Sequence, residues 1–138
     1  MLKSGRHALI FFLLFTIAMV VVGLILNPLL RTEAGVRRCL INIMPIGSSM
    51  EDVTFAVAAN DSWTIRSMGA GISLHPQRLT PTRGVGGDSR FPVVGSRSVE
   101  VHLGTYRHIT RVDVTAFFAF DGNGDLIEIF VVKDFDLL

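Results

Sequence analysis

The chain has 138 residues, 13 of them Lys or Arg and 12 Asp or Glu, for a formal net charge of +1 at pH 7. That length holds one domain, and so even a charge balance gives no general attraction to polyanions. Cys39 is the only cysteine, which excludes an internal disulfide.

The apolar share of 49% is unevenly spread. From Ala8 to Leu26 the sequence reads ALIFFLLFTIAMVVVGLIL, nineteen residues without a charge. As a helix this run would rise about 28 Å, close to the hydrocarbon thickness of a bilayer. Lys3 and Arg6 precede it, and Asn27, Pro28 and Arg31 end it. Two readings compete. A cleaved signal has a shorter apolar core followed by a small-residue site, and the only candidate site, Thr32-Glu33-Ala34 before Gly35, lies beyond Arg31. Length therefore favours an uncleaved anchor over residues 1–30, an N-terminal transmembrane helix. A buried soluble helix is disfavoured, because so small a domain could hardly cover it on all sides. Lys3 and Arg6 pull the N-terminus toward the cytoplasm, while Arg31, Arg37 and Arg38 pull the other way. Short N-terminal tails usually stay inside, so the expectation is a single pass through a bacterial inner membrane with the domain in the periplasm. The residues before Cys39, Val36-Arg37-Arg38, are not a lipoprotein box, and the thiol is read as a plain buried or juxtamembrane one.

Residues 31–138 are expected to form a small α+β domain. Arg31 to Arg38 reads as a junction, followed by the apolar run LINIMPI. Ser49 can cap a helix over roughly 49–59, with Glu51 and Asp52 in its first turn at the positive end of the dipole and Met50, Val53, Ala56 and Val57 along one face. Trp63 and Ile65 alternate with polar residues as in a strand, Met68-Gly69-Ala70-Gly71 turns the chain, and Ile72 and Leu74 begin a second strand. From His75 to Arg97 prolines and glycines accumulate without periodicity, predicting a long loop. Alternation resumes at Val99, Val101 and Leu103, then at Val112, Val114, Ala116, Phe118 and Phe120, and again in LIEIFVV. It breaks at Phe117, Ile127 and Ile129, which predicts that the sheet's second face is partly covered. The fold class expected is a transmembrane helix followed by a two-layer domain, one or two short helices on a three- to five-stranded, mainly antiparallel sheet.

The stretch FDGNGD, residues 120–125, resembles the start of a calcium loop. Counted from Asp121, however, the sixth position is Leu126 where a glycine is required, and the twelfth is Val132 where a bidentate Glu is required. A glycine-rich hairpin turn fits better. GVGGDS at 84–89 lacks the features of a phosphate loop, and GSS at 47–49 is no nucleophile elbow. His75, His102 and His108 lack zinc spacing, and no carboxylates are paired where burial would tune them. No catalytic residue, metal or cofactor is expected.

Charge is segregated along the chain. Residues 66–111 hold seven arginines against Asp88 and Glu100, and residues 113–138 hold six acids against Lys133. The two halves can attract each other or both be solvated, or the basic loop can meet anionic lipid headgroups at about 1 kcal/mol per residue. A nucleic-acid partner is not expected, since only Phe91 and Tyr106 interleave with the arginines.

The order of anchor, IGSSMEDVTFAV, Trp63 strand, loop, strand and FFAFDGNGDLIEIFVV resembles the SmpA/BamE-like small envelope lipoprotein domain. The matching positions are Pro45, Gly47, Ser48, Ser49, Met50, Asp52 and Val53, then Phe120, Asp121, Gly124 and Leu126. The resemblance covers roughly residues 43–132. It implies a two-layer α/β domain outside the inner membrane that acts through protein or envelope contacts. Members of that family are lipidated at a cysteine after the signal, and this chain has no such box, so the outer-membrane assembly role is not carried over.

The function expected is that of a non-enzymatic, membrane-anchored envelope protein that binds another protein. Trp63, Tyr106, Arg78, Arg83 and Arg90 are its candidate contact residues, because aromatic and Arg side chains are the usual interface anchors. An inhibitor or immunity-type protein that binds an enzyme is the alternative, and a cytoplasm-facing membrane scaffold the third.

Overall fold

A computed structural model describes residues 3–75, 78–81, 91–107 and 110–136. The chain opens with helix α1 (Lys3–Leu26), followed by a 3-10 turn over Pro28–Leu30 in which Asn27 Oδ1 accepts the Leu29 N–H at 3.1 Å. Helix α2 (Glu33–Ile43) starts at Thr32, whose hydroxyl accepts the Gly35 N–H at 3.2 Å, with Glu33 in the first turn. Its buried residues, Val36 and Leu40, are one helical step apart and face the core. Helix α3 (Met50–Ala58) starts at Ser49, which accepts the Asp52 N–H at 3.1 Å and donates to the Asp52 carboxylate at 2.7 Å. Val53 and Val57 are its buried positions.

Among the described residues seven strands follow: β1 (Thr64–Gly69), β2 (Ile72–His75), β3 (Arg78–Pro81), β4 (Val93–Val94), β5 (Arg97–Arg107), β6 (Arg111–Phe120) and β7 (Leu126–Asp136). The main sheet has the order β1-β5-β6-β7 with every pairing antiparallel, and β3-β2-β4 make a second antiparallel sheet. Alternation decides what each face of the main sheet buries. One face presents Val99, Val101, Leu103, Val114, Ala116, Phe118, Phe120, Ile129 and Val131 to α2 and α3, and with Val36, Leu40, Val53 and Val57 these form the larger core. The opposite face presents Phe117 and Ala119 to Ile72 of the second sheet, with Leu74, Val94, Phe130 and Val132 around them. The apolar run FFAF in β6 is therefore buried on both sides.

Gly71 and Gly95 make this crossing possible. They adopt φ of 125° and 78°, and a side-chain carbon on Gly71 would lie 2.6 Å from the Gly95 carbonyl oxygen. One on Gly95 would meet the Phe120 carbonyl oxygen at 2.7 Å. Only glycine combines that conformation with so close an approach. Ser98, buried beside them, donates its hydroxyl to the Gly71 carbonyl at 2.9 Å.

The expected fold class is corrected in three respects. Among the described residues no helix is long and apolar enough to cross a membrane. A transmembrane helix is accordingly not part of the fold described. Second, most of the supposed junction at 31–38 and the first part of the apolar run LINIMPI belong to the helix α2. Third, the stretch 75–97 contains β3 and β4, so a second sheet stands where a loop without strands was expected.

The FDGNGD stretch is a hairpin turn between β6 and β7. Asp121 Oδ1 accepts the N–H of Asn123 at 2.8 Å and of Asp125 at 2.9 Å, and Gly124 takes φ 93°. The Asp121 carboxyl is held below its ordinary range chiefly by the Asp125 backbone N–H. The same turn is tied to the start of α3. Gly47 donates to the Leu126 carbonyl, Leu126 to that of Ser48 and Met50 to that of Gly124, at 2.7–2.9 Å.

Candidate functional site

An apolar groove of about 310 Å³ opens where the 3-10 turn, α2 and the chain entering β1 converge. Pro28 and Leu29 form one wall, Val36, Cys39, Leu40 and Ile43 of α2 another, and Asn60, Ser62 and Trp63 a third, with Leu103 of β5 beneath. Local chemistry builds each wall. Pro28 sets the φ of the tight turn, and the one-step spacing of Val36, Leu40 and Ile43 aligns them along one side of α2. The Asn60 carbonyl accepts the Trp63 N–H at 3.0 Å, closing the turn that swings the indole back toward α2. Trp63 is half-buried against the main core and lines the groove as well. Ile43 remains 58% exposed, leaving an apolar lip in contact with water.

Polar contacts fix the groove's border. Arg31 donates a guanidinium N–H to the Cys39 sulfur at 2.8 Å. On the other side of the 3-10 turn, the Lys133 ammonium donates to the Leu29 carbonyl at 2.7 Å, the Arg31 carbonyl at 2.5 Å and the Tyr106 hydroxyl at 3.1 Å. It also lies 5.0 Å from the Tyr106 ring centroid, a cation–π distance. Trp63 and Tyr106 thus both stand by the 3-10 turn, Trp63 through the groove and Tyr106 through Lys133. Arg78 belongs to β3, while Arg83 and Arg90 lie outside the described residues. The groove neighbour Leu29 was missed as a site residue because the 3-10 turn was read as the end of the anchor, and Cys39 and Ile43 because α2 was missed. Its signal was present in Thr32-Glu33 followed by apolar residues at 36, 40 and 43.

A polar row crosses the opposite face of the main sheet from β1 to β6. Arg66 contacts His102 Nδ1 at 3.0 Å, His102 Nε2 lies 3.4 Å from the Thr105 hydroxyl, and Thr105 donates to Asp113, which also pairs with Arg111 at 3.5 Å. Arginine can only donate, so Nδ1 is the acceptor and the neutral ring carries its proton on Nε2. That tautomer cannot take a proton from Thr105, whose own hydrogen is directed at Asp113. The row is a chain of donors running toward one carboxylate, not a nucleophile with its base. Burial, then the charges of Arg66 and Arg111, lower the His102 pKa, against the opposing pull of Asp113. The Thr105 hydroxyl is the main cause holding Asp113 low.

Among the described residues no group of three or more His, Cys, Asp or Glu is placed to hold a metal ion. The chain matches no family model, no curated protein and no solved structure, which leaves the SmpA/BamE-like resemblance resting on its two motifs.

Proposed function

We propose that this chain is a membrane-associated binding protein that acts through contacts with another protein rather than through chemistry of its own. The carrying observation is the apolar groove beside Trp63, which begins two residues after α1 ends. Phe12, Leu13, Leu14 and Phe15 are consecutive and all exposed. Four consecutive residues cover more than one helical turn, so α1 offers apolar surface all round, and such surface is favourable only against lipid or protein. The groove then offers an aromatic anchor, an aliphatic wall and the exposed Ile43 lip, the composition of an interface centre.

The test is a photo-reactive residue at Ile43, with the same residue at the exposed Glu51 of α3 as control, irradiated in whole cells. The expected result is one discrete adduct in the membrane fraction from position 43, none from 51, and loss of the adduct when Ser62→Arg fills the groove mouth. A chain recovered in the soluble fraction, or no adduct at 43, would overturn the reading.

A further inference from the structure

β7 is the outer strand of the main sheet, and a free strand edge is a template for pairing with another strand. Outward backbone groups of β7 are nevertheless occupied at three positions along it. At its start, Gly47 N–H and Ser48 C=O bond the Leu126 carbonyl and N–H. At Ile129 the N–H goes to the Glu128 carboxylate at 2.9 Å and the carbonyl accepts from Arg37 Nε at 2.8 Å. At Lys133 the N–H goes to Glu33 Oε1 at 3.0 Å. Glu33 and Arg37 are one helical step apart on α2, and Arg37 is further tied to Glu128 by an ion pair. Alternation along the strand directs the backbone N–H and C=O of Val131, whose side chain lies in the core, to the outer edge between these two caps. There a cavity of about 300 Å³ opens, walled by Glu33, Ala34, Arg37, Glu128, Ile129, Phe130 and Val131.

We infer that Glu33 and Arg37 act as an edge guard, keeping β7 from pairing antiparallel with β7 of a second copy of this chain. The middle of the strand suits such pairing. Centred on Val131, it would set Phe130 beside Val132 of the second copy and Val131 beside itself, an apolar, self-complementary middle. Backbone caps on β7 from side chains of α2, about a hundred positions away in the chain, do not contribute to the apolar core; their effect is to spend the donors and acceptors that a second strand would need.

The test places a cysteine at the centre of the pairing, Val131→Cys in a Cys39→Ser background of the full chain. Antiparallel pairing would bring the two copies' residue 131 to a Cα separation of about 5.5 Å, within disulfide reach, whereas association through α1 would not. With Glu33 and Arg37 intact, mild oxidation is expected to give little cross-linked dimer. Glu33→Ala with Arg37→Ala should raise the cross-linked fraction by about tenfold, the shift that one charge-assisted bond corresponds to. Glu33→Gln, which keeps an acceptor for the Lys133 N–H, should stay at the parent value. Trp63 emission reports whether each variant is folded. If the double variant loses native emission, Glu33→Ala alone decides, with cross-linking above the parent supporting the guard. Native emission without added cross-linking overturns it.

Discussion

The Lys133 ammonium lies 5.0 Å from the centroid of the Tyr106 ring and 3.1 Å from its hydroxyl, while also holding the carbonyls of Leu29 and Arg31. One side chain from β7 thereby clamps the segment between α1 and α2 against the aromatic residue of β5. Lys133→Met keeps most of the aliphatic stem and removes every one of these bonds. The expected loss is about 2 kcal/mol, the range for hydrogen bonds to a charged group. It would be read from urea unfolding followed by the fluorescence of Trp63; an unchanged midpoint would show that the clamp contributes nothing.

Gly95→Ala should be costly despite adding a single methyl group. The new carbon would be forced to φ 78° and to within 2.7 Å of the Phe120 carbonyl oxygen, a backbone atom that cannot swing aside. A loss of about 2 kcal/mol or more is expected. Gly122→Ala, where the added carbon would meet nothing within 4 Å beyond its chain neighbours, serves as the control and should be far milder. Comparable losses in the two variants would contradict the close crossing of the two sheets.

Leu40→Ala tests whether α2 belongs to the core. Leu40 is 2% exposed and sits in the main cluster with Val36 and Ile129. Truncating a buried leucine costs about 2–5 kcal/mol. Thermal unfolding should shift accordingly, and a change within error would mean that α2 is only loosely held.

His102 should make stability depend on pH just below neutrality. Burial, Arg66 and Arg111 lower its pKa from 6.5. The folded chain therefore stays unprotonated where the unfolded chain already takes up a proton. Between the two values the unfolded state binds more protons, so stability is fully present above 6.5 and declines as pH falls through that window. Protonation would also put an N–H on Nδ1 opposite Arg66. His102→Asn should flatten this slope. Asp113, Asp121 and Glu128 have lowered pKa values and act in a separate window, losing their contribution below their ordinary values of 3.8, 3.8 and 4.5. A wild-type curve that stays flat as pH falls below 6.5 would refute the assignment to His102.

Local chemistry was legible where a residue's partner is near it in the chain. Ser49 caps α3 and Asp121 closes the β6–β7 turn because their partners are two to four residues away. The doubly apolar run at Phe117 likewise announced a covered second face. What covers that face was not legible. β3 and β4 lie among prolines and glycines, and they become strands by pairing with β2 rather than by pattern of their own. Helix α2 was hidden by Arg37 and Arg38, which read as a charged junction. Arg37 is drawn to Glu128 and the Ile129 carbonyl, partners that no local pattern relates to it. The groove beside Trp63 depends on α2 and was lost with it, although Trp63 itself was picked out by its residue type.

The stapling of residues 47–50 to the 124–126 turn has a consequence in time. A ribosome releases α2 and α3 long before the strands that cap and bury them, since Glu33, Arg37, Gly47 and Met50 all bond to residues from Gly124 onward. Loop closure over such separations slows folding. The amides of Gly47 and Met50 should gain protection from hydrogen exchange only together with the β6–β7 hairpin. These two helices, made before every strand, are thus among the last elements to become native, and a chain cut short before Leu126 would have no place to dock them.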